Sequence, residues 1–156
     1  MQIRVQREDF DLSTEIAALR AGQRDVGAVV AFVGTVREMN GSGAVSQMEL
    51  EHYPGMTEAA LKAIVLEASQ RWSLTGIRVV HRIGILRGCD QIVLTAVAAQ
   101  HRGEAFAACE FLMDFLKTRA PFWKKETTQH GAQWVEARAS DEASLAKWRT
   151  NASPCQ

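Results

Sequence analysis

The stretch GEAFAACEFLMDFLKTRAPFWKKE, residues 103–126, joins a long apolar stripe to a proline and a group of lysines. The apolar residues recur at the spacing of one helix face, so they predict a helix over about 103–117 that packs against the core. Pro121 cannot continue that helix, and FWKKETT after it is typical of a short strand. We therefore predict a long central helix, a turn and a strand. The stripe consists of Ala105, Ala108, Cys109, Leu112, Met113 and Leu116, widened by Phe106, Phe111 and Phe115.

The segments before this stretch alternate between strand and helix patterns. VGAVVAFVGTV (26–36) is apolar almost throughout and predicts a central strand covered on both faces. VSQMELEHY (45–53) alternates and predicts a strand with one face in water. IRVVHRIG (77–84) and QIVLTAVAAQ (91–100) predict an antiparallel hairpin. The remaining predictions are a mobile loop in REMNGSG, strands at 3–6 and in AQWVEAR, and helices over 12–22 and in SDEASLAKWR. A further helix is predicted to about Trp72, with Thr57 as its N-terminal cap.

The short connections between strands decide the fold class. Because paired strands follow one another closely and the Gly-rich phosphate motifs of nucleotide folds are missing, an α+β sandwich with a mainly antiparallel sheet is favoured over a doubly wound sheet. A chain of 156 residues is long enough for one core. We expect a single domain over 1–150 and a disordered tail over 151–156.

The composition excludes several classes of protein. The 18 Lys and Arg balance the 18 Asp and Glu, so the basic excess of a general nucleic-acid binder is absent. No apolar run approaches the roughly 20 residues of a membrane helix, and MQIRVQREDF lacks the apolar segment of a signal peptide. These features predict a cytoplasmic protein that binds neither nucleic acid nor membrane.

Cysteine and histidine spacing gives no sign of a metal site or a disulfide framework. Cys89, Cys109 and Cys155 are odd in number and widely spaced, and the histidines are not clustered. We expect free thiols, with Cys109 buried and inert, and neither metal nor cofactor. His81 lies on an apolar strand face, which favours a buried structural histidine over a catalytic one.

Positive charge is concentrated in KTRAPFWKKE, residues 117–126, which places four cations and one carboxylate in ten positions. One interpretation is ordinary helix surface, with Lys117 paired to Asp114. The other is an anion site, because Pro121 and the aromatic pair Phe122-Trp123 would hold the turn, and with it the cations, in place. The second interpretation explains the cluster better.

Two further places are candidates for anion binding. Gln100-His101-Arg102-Gly103 lies where a strand ends and the long helix begins, so free backbone N–H groups meet an imidazole and a guanidinium there. Arg37 follows the apolar strand and precedes a Gly-rich loop. Exposed loop residues without a function remain the alternative at both places.

Several long stretches together resemble the large, catalytic subunit of molybdopterin synthase. LEHYPGMTEAAL (50–61) and MDFLKTRAPFWKKE (113–126) are ungapped and compositionally unusual, so the resemblance is specific. It extends over most of the chain from 27 to 138. The other matching stretches are GAVVAFVGTVR (27–37), HRIG (81–84), HRGEAF (101–106) and WVEAR (134–138).

The resemblance implies an α/β hammerhead fold and a heterotetramer, in which a dimer of large subunits carries a small ubiquitin-like partner at each end. The partner's C-terminal Gly-Gly thiocarboxylate would give its sulfur to cyclic pyranopterin monophosphate and so build the dithiolene of molybdopterin. Lys117 and Lys124 match the family's catalytic lysines. The residues that match the substrate and anion pocket are Arg37, His101, Arg102 and Arg138, and the neighbouring large subunit is expected to supply part of it. Of these, Arg37, His101 and Arg102 are expected to form a clamp on the substrate phosphate.

The role of Lys117 stays open at this point among electrostatic stabilisation, proton transfer and covalent attack. Two rival functions also remain: a scaffold that grips the partner's tail without turnover, and a nucleotide- or RNA-binding module that uses Phe122 and Trp123 as stacking platforms. One departure from the family pattern is local, because Cys89 stands where relatives commonly place glycine in the turn ILRGCD.

Overall fold

The computed structural model describes residues 1–37, 39–40, 43–128, 131–135 and 139–148. Strands and helices alternate along these residues, which confirms the α+β prediction. In chain order the elements are β1 Gln2–Gln6, α1 Leu12–Arg20, β2 Ala28–Thr35, β3 Met39–Asn40, β4 Gly43–His52, α2 Met56–Arg71, β5 Leu74–Arg82, β6 Gly84–Leu86, β7 Gln91–Ala99, α3 Arg102–Thr118, β8 Phe122–Thr128, β9 Gly131–Val135 and α4 Ala139–Ala146.

The strands form two sheets that are antiparallel except at one pair. The first sheet has the order β1-β5-β7-β2, in which β1 runs parallel to β5. The second sheet has the order β3-β4-β8-β9, and β6 also pairs with β4. The predicted pairing of the segments at 77–84 and 91–100 is confirmed, but the link between them is not a simple turn, because β6 crosses to the second sheet.

The main core lies between the first sheet and helices α2 and α3. Phe111 and Leu112 of α3 are at most 1% exposed, and Trp148 beyond α4 packs edge-on against Phe111. Truncating a fully buried aromatic side chain of this kind lowers the free energy of unfolding by several kcal/mol. The long central helix is therefore confirmed, with one exception in its predicted stripe: Phe106 is 61% exposed.

The apolar strand β2 does not lie where its sequence placed it. It occupies the end of the first sheet, paired only with β7 among the described strands, and Ala31 and Phe32 are exposed. The prediction of a central strand covered on both faces is wrong. An apolar run indicates that its side chains avoid water, but it does not show which surface covers them. In the single chain, part of β2 remains exposed.

Two local predictions also need correction. Part of the supposed mobile loop REMNGSG is a hairpin, because Met39 and Asn40 pair with Ala44 and Gly43. Helix α2 is capped by Glu58, whose carboxylate accepts the Gly55 N–H at 2.7 Å, and not by Thr57, which lies inside the helix. The predicted tail over 151–156, with Cys155, lies outside the described residues.

The thiols of Cys89 and Cys109 are both free. Cys109 is buried as predicted, and burial raises the pKa of its thiol to about 11, which keeps it protonated and inert. Cys89 is exposed and adopts a left-handed backbone conformation with φ of 70°. Only glycine takes that conformation without a steric cost from its Cβ.

Replacing Cys89 with glycine should therefore relieve local strain. We expect Cys89→Gly to have an unfolding free energy about 1 kcal/mol higher than Cys89→Ala, because both variants remove the thiol but only glycine removes the Cβ. Urea unfolding of the two variants measures the difference. Equal stabilities would show that the left-handed conformation is not strained.

Candidate active site

Helix α3 lies antiparallel to β7 and fixes which residues share an end of the molecule. Its middle contacts the middle of the strand: the Cys109 thiol lies 3.7 Å from the Thr95 carbonyl oxygen, and the Thr95 hydroxyl lies 3.2 Å from the Met113 sulfur. The helix begins just after Ala99 and returns along the strand. Lys117, near its last turn, therefore lies toward the end of the sheet where β7 begins and β2 finishes.

The link from α3 to β8 is a tight turn at Pro121. The Phe122 N–H donates to the Ala120 carbonyl at 2.8 Å, which closes a three-residue γ-turn around the proline. The Thr57 hydroxyl donates to the Pro121 carbonyl at 3.0 Å, and the Phe122 ring stacks on His81 with centroids 3.7 Å apart. The prediction that this turn is held in place is confirmed for Phe122, whereas the predicted contribution of Trp123 is wrong, because its side chain is 43% exposed.

Lys124 projects from β8 beside a buried carboxylate. It forms an ion pair with Glu126, which is 5% exposed, and both lie on the sheet face that carries their cross-strand partners Leu50 and Met48. Leu50 and Met48 share a buried cluster with Val36, the residue that precedes Arg37. Arg37, Lys117 and Lys124 are therefore at the same end of the molecule.

The carboxylates on the exposed side of α3 hold the C-terminal helix. Lys147 lies 2.6 Å from Glu110 and 3.1 Å from Asp114, and the Trp148 indole N–H donates to Asp114 at 2.7 Å. Asp114 thus has a structural role in docking the segment after α4. The interpretation of Asp114 as simply the surface partner of Lys117 is incomplete.

His101 and Arg102 lie at the opposite end of the same layer. Both are exposed at the start of α3 and line a cleft of about 490 Å³ with Gly27, Ala28, Gln100 and Gly103. Gly27 is required there, because a Cβ at that position would lie 2.1 Å from the Gln100 carbonyl oxygen. The cleft offers backbone N–H groups at the positive end of a helix dipole, together with the Arg102 guanidinium and the His101 imidazole.

The structure thus divides the predicted site residues into two groups within one chain. Arg37, Lys117 and Lys124 share one end, while His101 and Arg102 lie at the other. Lys117 lies fifteen positions after Arg102 in the helix, which is roughly 22 Å at 1.5 Å per residue. The predicted phosphate clamp of Arg37, His101 and Arg102 is therefore not assembled by a single chain. Arg138 lies outside the described residues.

Two residues of this region were not predicted from the sequence as part of a site. Glu126 sets the surroundings of Lys124, and period-2 spacing in β8 was a usable signal, because it places both side chains on one face. Thr57 had no such signal, since its contact with Pro121 spans 64 positions.

His81 is the structural histidine that the sequence predicts. It is 9% exposed, and its Nδ1 lies 2.8 Å from the Arg82 carbonyl oxygen, which assigns the ring proton to that nitrogen. Burial lowers the pKa of His81 to about 4, so the ring stays neutral near pH 7. It cannot supply a positive charge to an anion site.

This shift gives a testable dependence of stability on pH. The folded-state pKa lies below the ordinary value of 6.5, so the unfolded chain binds the extra proton first as the pH falls. The contribution is present above about pH 6.5 and is lost as the pH approaches 4, by about 2 kcal/mol between pH 7 and pH 5. His81→Phe keeps an aromatic ring but no titrating group. Between pH 7 and pH 5 its free energy of unfolding, measured in urea, should fall by about 2 kcal/mol less than that of the wild type. An equal fall in the two proteins would mean that His81 is not buried in its neutral form.

Comparison with known proteins places the chain in a family. The family model for MoaE protein matches residues 5–119. A molybdopterin synthase catalytic subunit from Ralstonia nicotianae is 65% identical over 146 residues, which cover 94% of this chain and 83% of that protein. A solved structure described as molybdopterin biosynthesis MoaE protein from Burkholderia ambifaria has a TM-score of 0.82 and 56% identity, covering 95% of this chain and 97% of that one.

A more distant structure extends the likeness. The structure of molybdopterin synthase from Staphylococcus aureus has a TM-score of 0.78 and 32% identity, covering 85% of this chain and 95% of that chain. The fold is thus that of the catalytic subunit of an enzyme. The chain belongs to the MoaE family. The resemblance, the fold class and the expectation of an enzyme are confirmed.

None of the helices in the described ranges has the length and apolar character needed to cross a membrane.

Proposed function

We propose that this chain transfers sulfur from the C-terminal thiocarboxylate of a small ubiquitin-like partner to cyclic pyranopterin monophosphate. The observation that carries the proposal is the cationic end formed by Arg37, Lys117 and Lys124 around the turn at Pro121. Both reactants are anionic, so fixed cations are needed to bring them together. Relatives at up to 65% identity are named catalytic subunits, which fits an enzyme that works with a second chain.

The reaction needs charge stabilisation more than redox chemistry. In each transfer the sulfur becomes bonded to a carbon of the substrate while a carbon–oxygen bond at that carbon breaks, and the oxygen leaves with the opened phosphate or as water. The bond between the sulfur and the partner's acyl carbon also breaks. The electron pair of that bond stays on sulfur, and water supplies the oxygen that turns the acyl group into a carboxylate. An ammonium group close to the acyl carbon would stabilise the oxyanion that forms on the way. No metal or cofactor is required for these steps.

We assign the ammonium to Lys117, which is exposed at the end of α3. The negative end of the helix dipole in this last turn attracts cationic side chains. Lys124 is partly buried and oriented by Glu126, which suits a residue that holds a substrate phosphate or the partner's terminal carboxyl group. Arg37 can complete that anion site with the planar donor fork of its guanidinium.

The separation of the two cationic groups supports a site shared between two copies of the chain. Strand β2 is an apolar strand at the end of its sheet, with Ala31 and Phe32 exposed, and such an edge invites pairing. A two-fold axis beside β2 would set the Ala28 end of one copy against the Thr35 end of the other. His101 and Arg102 of one chain would then face Arg37 and Lys117 of its partner. We therefore propose a homodimer with two composite sites, located in the cytoplasm.

A scaffold without turnover is the second candidate. It needs only the anion-binding groups and predicts partner binding without product. RNA binding is less well supported, because Phe122 is not available for stacking: its ring already lies on His81.

Substitution of Lys117 tests the reaction and its assignment together. Purified chain is mixed with thiocarboxylated small partner and cyclic pyranopterin monophosphate, and molybdopterin is followed as its fluorescent oxidised derivative. Lys117→Ala should lower the rate by about 10²- to 10³-fold, because a charge that stabilises the transition state is lost. Lys62→Ala, which removes an exposed lysine from α2, is the matched control and should retain the wild-type rate.

Full turnover by Lys117→Ala would refute the assignment. A wild type that binds the small partner but makes no product would refute sulfur transfer and favour the scaffold.

Mixed dimers test the composite site. Lys117→Ala and Arg102→Ala should each be inactive alone, yet co-expressed chains should recover about a quarter of wild-type activity, because half the pairs are mixed and each of these has one intact site. Lys117→Ala mixed with Lys124→Ala is the control, since both substitutions fall at the same end and every mixed site is damaged. Recovery in the control, or none in the first mixture, would contradict a shared site.

A further inference from the structure

We propose that Thr57 and His81 are positioning residues that hold the turn at Pro121 and thereby set the placement of Lys124 relative to Lys117. This inference rests on the proposed function, since it concerns how the two lysines of that site are aligned. Neither residue belongs to the cationic group itself. Both act through the residues that join α3 to β8.

Thr57 connects helix α2 to the turn. Its side chain is completely buried, and its hydroxyl accepts the Tyr53 N–H at 3.1 Å while donating to the Pro121 carbonyl at 3.0 Å. The Thr57 N–H also donates to the Tyr53 carbonyl at 2.9 Å, so the residue is itself fixed by the segment before α2. A buried hydroxyl with both donor and acceptor partners allows little freedom in the position of Pro121.

His81, on strand β5, holds Phe122, the residue that follows Pro121. Its strand, β5, lies inside the first sheet between β1 and β7. The His81 ring stacks on Phe122 with an interplanar angle of 13°, and the Arg82 carbonyl fixes the orientation of the imidazole. The turn is thus held at Pro121 by a hydrogen bond and at Phe122 by a ring contact, both from rigid elements.

These contacts matter because the turn lies between the two lysines of the proposed site. Lys117 lies in the last helical turn before it, and Lys124 is the third residue after Pro121. The backbone pairing of β8 begins with Phe122 opposite His52, so a displacement of Phe122 moves the start of the strand that carries Lys124. A misplacement of about 1 Å at a catalytic group can lower a rate by roughly 100-fold.

The first test replaces the Thr57 hydroxyl with a methyl group. Thr57→Val should lower the single-turnover rate by about 10- to 100-fold with the small partner at saturation, and leave partner binding unchanged. Thr57→Ser, which keeps the hydroxyl, should restore most of the rate. Thr95→Val is the matched control, because Thr95 is also fully buried but contacts the middle of α3, and it should retain the rate.

A double substitution separates positioning from general damage to the fold. If Thr57 acts through Lys124, Thr57→Val should cost no further rate in a Lys124→Ala background, because coupled residues are not additive. The same loss in both backgrounds would overturn the proposal. So would an equal loss in Thr95→Val.

His81 gives an independent pair of variants if Thr57→Val does not fold. His81→Leu removes the stacked ring and should reproduce the Lys124-dependent loss, whereas His81→Phe retains a ring and should keep most of the rate. Equal rates for the two His81 variants would contradict a role for the ring contact.

A readout without turnover keeps this test separate from the proposed function. Amine acylation followed by mass spectrometry measures the reactivity of each lysine in the free chain. Thr57→Val should change the acylation rate of Lys124 relative to Lys117 by about threefold or more and leave Lys62 unchanged, because a moved ammonium loses its partner Glu126. An unchanged pattern would overturn the proposal even if the enzyme were active, and a changed pattern would support it even if sulfur transfer failed.

Discussion

The antiparallel packing of α3 against β7 is the constraint on which the rest of the structure depends. Ala108, Phe111 and Leu112 of the helix share one buried apolar cluster with Val93 and Val97 of the strand, so the helix cannot slide without breaking buried contacts. Because the helix begins where the strand ends, this register places its first residues over one end of the sheet and its last residues over the other. The two cationic groups of the molecule are therefore kept apart by the core itself.

Local sequence pattern was sufficient for the elements that bury one face. The stripe of α3 and the alternation of β4 predict what the structure shows, because helical and strand periodicities are written directly into neighbouring residues. The density of charge around Pro121 indicates Lys117 and Lys124 as candidates for an anion site. The sequence also predicts a buried, structural His81, since every second residue around it is apolar.

What could not be predicted depended on long-range neighbours. An apolar run such as β2 looks the same whether helices of its own chain or another surface cover it, so its edge position was missed. Thr57 was read as a helix cap because threonine before a helix commonly has that role. Its actual partner, Pro121, is brought to it only when the two layers assemble. The division of the cationic residues into two groups likewise appears only once α3 is placed on its sheet.

The path of the chain between the two sheets has a mechanical consequence. Among the described elements, short links cross from one layer to the other after β2, from β4 to α2, between β5 and β6, between β6 and β7, and from α3 to β8. These links lie at the end of the first sheet where β7 begins, which is also the lysine end. The two layers are thus joined along one side of the molecule. In the proposed function the reactants meet at this joined side, where the chain connections limit the motion of one layer relative to the other. At the far edge of the second sheet, β9 is held by β8 alone among the described strands.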